Sequence, residues 1–65
     1  MQVITKTIQG QDVEFLEAGG KWAYRLVNAT GYYGKVTRPV FNSMEQAHGK
    51  AEKLIEQYYL FKSND

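Results

Sequence analysis

The chain has 65 residues, and its eight lysines and arginines against seven aspartates and glutamates give a formal net charge of +1 at pH 7. A chain this short forms one small domain, residues 1–65, which buries only about 60% of the surface of the unfolded chain. The absence of cysteine excludes disulfides, zinc–thiolate sites and thiol catalysis, and a hydrophobic content of 43% excludes a disordered chain.

No apolar run approaches the ~18 residues that a membrane span needs. The N-terminal residues also lack the pattern of a signal peptide. We therefore expect a cytoplasmic protein with no membrane partner.

The first part of the chain, residues 2–41, is typical of an antiparallel sheet because it holds five of the six glycines, the proline and most β-branched residues. Strands are predicted at residues 2–8, 13–16, 22–27 and 32–37, with turns at 9–12, 18–20 and 28–31. Pro39 ends the last strand because proline donates no hydrogen bond to a neighbouring strand. Every connection is short, so a three- or four-stranded β-meander follows.

After Asn42 the composition changes to that of a helix. Ser43-Met44-Glu45-Gln46 has the form of a capping box, in which Ser43 is the N-cap residue and Gln46 reaches back to it. Spacings of three and four predict one apolar helix face, made by Met44, Ala47, His48, Ala51, Leu54, Ile55 and Tyr58. The fold class is therefore α+β, with one C-terminal helix over about 43–60 packed on one face of the sheet and a frayed tail at 62–65.

The sheet face opposite the helix meets water or a partner, and the residues on it depend on the loop at 28–31. A loop with an even number of residues (an even loop) places Trp22 on the same face as Tyr33. A loop with an odd number (an odd loop), with Gly31 in a left-handed bulge, places Trp22 on the same face as Tyr32. The odd loop separates apolar from polar side chains better, so we prefer it. It puts Trp22, Tyr24, Leu26, Tyr32 and Val36 against the helix and leaves Ala23, Arg25, Val27, Tyr33, Lys35 and Thr37 on the free face.

Catalysis and metal binding have little support in the sequence. His48 is the single histidine, and it is interpreted as a packed or half-exposed helix residue because no nucleophile or orienting partner is indicated. Glu14 and Glu17 are read as surface charges, and the pair Glu52 and Glu56 as a solvated helix face. The glycines match no phosphate-binding spacing. We expect no enzyme, no cofactor and no metal.

The candidate binding residues are basic side chains around one aromatic ring on the free face, namely Arg25, Lys35, Tyr33, Lys21, Arg38 and Lys6. Tyr33 has two open interpretations: it stacks on a base or a partner side chain, or it fills the sheet surface as a cross-strand neighbour. The four residues 58–61 cannot all face inward on one helix, so a homodimer contact at this end of the helix is also open.

Two stretches resemble a known family. Lys21-Trp22-Ala23-Tyr24-Arg25-Leu26 and the helix start Val40-Phe41-Asn42-Ser43-Met44-Glu45-Gln46-Ala47 resemble the three-strand-plus-helix module of AP2-type domains and of the N-terminal arm-binding domain of phage-type integrases. Asp12-Val13-Glu14-Phe15-Leu16 with Gly20-Lys21-Trp22 is similar to a small bacterial DNA-binding cell-division activator. The resemblance covers about residues 12–58 and departs at Arg38-Pro39-Val40, in an extra N-terminal strand and in fewer basic residues. It implies that the sheet face opposite the helix enters the major groove of double-stranded DNA, with Arg25 and Lys35 on that face.

Two functions are compatible with this sequence. The first is a small DNA-binding accessory protein, for which five phosphate contacts predict a log–log salt slope of about −4 to −5. The alternative is a small protein-binding regulator or inhibitor, of the kind that phages and plasmids encode, acting through the same face or a sheet edge. An ion pair between Glu14 and Arg25 would neutralise the basic patch and favour the alternative.

Overall fold

The computed structural model of the protein describes residues 2–63. Its elements in chain order are β1 (Gln2–Ile8), β2 (Gln11–Ala18), β3 (Lys21–Leu26), a short 3₁₀ helix (Gly31–Gly34) and α1 (Met44–Ser63). The three strands form an antiparallel sheet in the order β1-β2-β3, and α1 packs against β2 and β3. The predicted α+β class, a β-meander with one C-terminal helix on one face, is confirmed.

Two-residue turns connect the strands. Gln9 and Gly10 have φ angles of 52° and 80°, and Gly19 and Gly20 have φ angles of 62° and 82°. Two successive positive φ angles are typical of type I′ turns, which match the twist of the strands that they join. The predicted turn at 9–12 is therefore too long, and β2 extends from Gln11 to Ala18 instead of covering 13–16.

The fourth strand predicted at 32–37 is wrong. Residues 31–34 form the 3₁₀ helix. Residues 35–41, which we call the edge segment, then follow the outer edge of β3. It pairs at two places: the Thr37 amide donates to the Tyr24 carbonyl at 2.9 Å, and Trp22 and Phe41 exchange backbone hydrogen bonds of 2.8 and 3.2 Å. Two contact points cover the edge without making a continuous ladder.

The core lies between α1 and the inner face of β2 and β3. Strand neighbours Val13 and Leu26, and Phe15 and Tyr24, lie directly opposite one another on this face. The buried residues of the cluster are Ile8, Val13, Phe15, Tyr24, Leu26, Ala47, Ala51, Ile55 and Tyr58. The two helix alanines have no exposed surface, and their small side chains let the helix approach the sheet closely.

The start of α1 follows the predicted capping pattern. The Gln46 backbone N–H donates to the Ser43 hydroxyl at 3.2 Å. The Gln46 side-chain oxygen accepts from the backbone N–H of Asn42 at 3.0 Å, one residue before Ser43. The end of the helix was predicted too early, because α1 continues through residues 62 and 63. Residues 64 and 65 of the predicted tail lie outside the described part of the chain.

Replacing Ile55 by alanine should lower the free energy of unfolding by about 2–5 kcal/mol, because Ile55 is fully buried and truncation leaves a cavity. Urea denaturation followed by circular dichroism measures the change. Leu60→Ala is the matched control on the same helix: Leu60 is 67% exposed, so the change should stay within about 0.5 kcal/mol. Equal losses in the two variants would contradict this core assignment.

Candidate functional site

The free face of the sheet carries an ion pair at its centre. Glu14 and Arg25 are direct neighbours on β2 and β3, and the Arg25 Nε lies 2.5 Å from the Glu14 Oε1. Both side chains are about one-third exposed. Lys21, on the same face, donates from its Nζ to the Asn42 side-chain oxygen. The pairing neutralises the cation that the DNA hypothesis places against a base.

On one side of the ion pair the free face carries a row of apolar residues. Val3, Leu16 and Ala23 are consecutive cross-strand neighbours and form one row across the three strands. Val3 is exposed, Leu16 is half-buried and Ala23 is buried. This face therefore presents a short apolar row next to a neutral ion pair.

Tyr33 does not lie on the free face, contrary to the odd-loop prediction. Its ring packs on the helix side, with centroids 5.1 Å from Tyr58 and 6.0 Å from Phe61. Tyr32 and Val36, which were predicted to be buried there, are 73% and 52% exposed. A 3₁₀ helix rotates successive side chains by about 120°, so strand alternation does not apply to Tyr32 and Tyr33. Val36 follows this helix in the edge segment, which is not a strand of the sheet.

Lys6 also lies away from the predicted patch. It pairs in register with the core residue Val13, so it belongs to the helix-side face of the sheet. There it lies near Met44, Glu45 and His48. Of the six predicted binding residues, only Arg25 and Lys21 are on the free face, and the single patch that was predicted does not form.

Lys35 and Arg38 instead lie along a groove between the edge segment and α1, which we call the flank groove. The name covers two depressions, which have no lining residue in common. The first is lined by Tyr32, Lys35, Val36, Thr37, Arg38 and Leu54. The second is lined by Phe41, Glu45, Gln46, Gly49, Lys50 and Lys53. Leu54 follows Lys53 directly in α1, and the edge segment continues from Arg38 to Phe41, so each depression is lined by both the edge segment and α1.

Positive charge is concentrated in the flank groove. Lys35, Arg38, Lys50 and Lys53 line it together with a single carboxylate, that of Glu45. Within residues 2–63 none of these four cations forms an ion pair. Four cations against one anion give this groove a formal charge of +3, compared with +1 for the whole chain. The groove therefore combines unpaired cations with an apolar floor.

Sequence reasoning missed Leu54, Lys50 and Tyr32 as groove residues. Leu54 was assigned to the apolar helix face, which is correct, but it is only partly buried at the border of that face. The spacing of four between Lys50 and Leu54 was the available signal, since it places both on one side of a helix. The position of the edge segment beside them was not readable, because it depends on the 3₁₀ helix.

The remaining candidate acid–base groups are engaged in local contacts. His48 stacks on Phe15, with ring centroids 5.9 Å apart and planes 10° apart, and its Nδ1 lies 3.0 Å from the Glu52 Oε1. The Glu17 side chain accepts from the Gly20 amide at 2.9 Å. His48 is packed and half-exposed on α1, as predicted, but Glu52 gives its ring a partner that the sequence does not indicate. No three metal-ligating side chains of the described chain come together as a metal site.

Tyr24 lies between the core and the edge segment. Burial raises the pKa of its phenol above the ordinary value of 10.0, and the nearby phenol of Tyr32 adds to the increase. The Tyr24 ring also contacts Phe41, with centroids 5.6 Å apart. Tyr24 therefore holds the edge segment on the sheet while its own hydroxyl stays neutral to high pH.

Comparison with known proteins finds no matching family model, no matching curated protein and no matching solved structure. The resemblance to AP2-type and integrase domains accordingly stays a prediction. Among residues 2–63, no helix has the length and apolar character needed to cross a membrane.

Replacing Gly34 by alanine should lower the free energy of unfolding by about 1–3 kcal/mol, because the added methyl group would overlap the Ala29 backbone carbonyl. The loop that begins the edge segment has to shift to accept it. Gly49→Ala is the control: its methyl group meets no atom within 4 Å, and alanine should stabilise α1 by about 0.5–1 kcal/mol. Thermal unfolding followed by circular dichroism compares the two, and a neutral Gly34→Ala would contradict the loop geometry.

The raised pKa of Tyr24 predicts a loss of folding stability at alkaline pH. Its phenol ionises near pH 10 in the unfolded chain and at higher pH in the folded protein. Its contribution is complete below pH 10 and is lost as the pH rises through the raised pKa. Urea unfolding between pH 8 and pH 11, followed by circular dichroism, should show a smaller alkaline loss in Tyr24→Phe than in the wild type. The exposed Tyr32→Phe is the control and should keep most of the loss; an unchanged profile in Tyr24→Phe would refute the assignment.

Proposed function

We propose that this protein is a small non-catalytic protein-binding regulator whose flank groove holds an acidic segment of its partner. The observation that carries the proposal is the division of the basic residues between two environments. Arg25 is neutralised by Glu14 on the free face, whereas Lys35 and Arg38 border an apolar groove without an acidic neighbour among the residues that line their depression.

The chemistry of the groove defines the segment that fits it. Leu54 and Val36 supply apolar surface at the floor and wall, and Tyr32 supplies an exposed aromatic ring. An apolar side chain of the partner would bury itself there and gain about 1.5–3 kcal/mol. Aspartate or glutamate residues flanking that anchor would lie against Lys35 and Arg38. One anchor with exposed charge pairs predicts a weak, transient complex.

DNA binding is the second candidate, and one observation favours it: four cations line the flank groove. Three observations oppose it. Arg25 is paired, and the residues expected to share a DNA-contacting face are divided among the free face, the edge segment and the helix side of the sheet. The apolar floor of the groove also suits a side chain better than a phosphate backbone.

Binding of labelled peptides, followed by fluorescence anisotropy, tests the proposal. A peptide rich in Asp and Glu around a central Leu-Phe pair should bind, and its Lys-substituted counterpart should not. Lys35→Glu combined with Arg38→Glu should weaken binding at least about tenfold, because attraction becomes repulsion. Lys21→Glu is the control: it reverses one charge on the free face, half the change of the double variant, and should leave the affinity nearly unchanged, whereas Lys35→Glu alone should weaken binding.

A labelled duplex in the same assay separates the two candidates. One outcome is that the duplex binds saturably, with an affinity that falls steeply between about 50 and 200 mM salt and is lost in the variant of Lys35 and Arg38. This result would identify DNA as the ligand of the groove. Equal affinity for the acidic and the Lys-substituted peptide, or equal losses in Lys21→Glu, would overturn the assignment of the groove to an acidic partner.

A further inference from the structure

The sheet has one covered edge and one open edge. The edge segment lies along β3 and occupies backbone groups of Trp22 and Tyr24. On the other side, β1 pairs only with β2 in the sheet of the described residues. The edge of β1 is seven residues long, and most of its side chains are exposed. A strand of this kind offers unpaired backbone donors and acceptors to another strand.

The hairpin geometry identifies which backbone groups point outward. Ile8 and Gln11 close the two-residue turn as a hydrogen-bonded pair, so Ile8, Lys6 and Ile4 direct their N–H and C=O groups toward β2. The alternate residues direct theirs away from the sheet; these are Val3, Thr5 and Thr7. Thr5 is the middle residue of β1 and of this outward-pointing set.

We propose that two copies of this chain pair through β1 to form a continuous antiparallel six-stranded sheet with a two-fold axis at Thr5. In this register Thr5 faces Thr5 of the second copy, and Val3 faces Thr7 of the second copy. Each of the three pairs exchanges two backbone hydrogen bonds, which gives six in total. The set of outward-pointing residues is symmetric about Thr5, so one strand serves both copies equally.

The side chains of β1 fit this register. On the free face, Thr5 lies beside Thr5 of the second copy, and Val3 lies beside Thr7 of the second copy. Both pairs are favourable neighbours in antiparallel sheets. On the helix side, Lys6 lies opposite Ile4 of the second copy, so no like charges are directly opposed, and its methylene groups can cover the isoleucine. Ile4 is half-buried in the single chain because α1 lies over β2 and β3.

The open edge of β1 and the flank groove lie at opposite edges of the sheet, so the dimer does not depend on the proposed function. The edge segment borders β3, and β2 separates it from β1. Pairing through β1 would leave both flank grooves open and would present two of them in one particle. A partner with two acidic segments would then bind more tightly than one with a single segment.

Sedimentation velocity of the full chain over a range of concentrations tests the dimer. The expected result is a concentration-dependent particle of twice the 7.5 kDa chain mass. Thr5→Pro should give a folded monomer, since proline removes an outward-pointing N–H and leaves the bonds to β2 intact. Thr5→Val is the matched control and should stay dimeric because it keeps the backbone donor. A wild-type chain that stays monomeric at millimolar concentration, or a folded Thr5→Pro that stays dimeric, would overturn the proposal.

Amide hydrogen exchange of the wild-type chain gives a second readout that needs no variant. The amides of Val3, Thr5 and Thr7 should be protected at high concentration and should lose protection on dilution, in step with the change in mass. Fast exchange of these three amides at every concentration would exclude pairing through β1. A dimer whose exchange protection appears instead around Leu60 and Phe61 would place the contact at the end of α1 and would likewise refute the β1 register.

Discussion

The packing of α1 against the inner face of β2 and β3 is the contact on which the rest of the structure depends. A three-stranded sheet with one helix has only one face to bury, and the fully buried side chains of Phe15, Leu26 and Ile55 meet there. The helix is centred on two of the three strands, so the remaining surfaces follow from its position. β1 is left with an open edge, and the β3 side is left to the edge segment.

The edge segment converts the other flank of the helix into a groove. The 3₁₀ helix turns the chain after β3, and Tyr33 anchors that turn on Tyr58 and Phe61. Thr37 and Phe41 then fix the segment along β3, which places Lys35 and Arg38 opposite α1. The groove is a consequence of two backbone contacts and one aromatic cluster, and its charge comes from both walls.

The elements that local chemistry determines could be predicted from the sequence. The start of α1 follows from Ser43 and Gln46, and the two strand connections follow from Gly10 and from Gly19 and Gly20, because these signals act within a few residues. The buried helix positions follow from their periodicity.

The stretch at 32–37 could not be predicted in this way. Its tyrosines, valine and threonine have strand propensity, but its structure depends on tertiary contacts: Tyr33 packs on α1, and Thr37 bonds to Tyr24. Because a 3₁₀ helix and the edge segment replace the predicted strand, Tyr33 lies on the helix side of the sheet, and Lys35 and Arg38 lie in the groove. The pairing of Glu14 with Arg25 depends only on the β2–β3 register, and the sequence identified it in advance as the contact that decides between the two functions.

The central claim is that the flank groove, and not the free face of the sheet, is the binding surface. Nitrogen–proton correlation spectra of the labelled chain, recorded while an acidic peptide with an apolar centre is added, test it most directly. The account predicts that the largest shift changes fall on the amides of residues 32–38 and 50–54. Changes concentrated at Val3, Leu16, Ala23 and Arg25, with the groove amides unaffected, would contradict it.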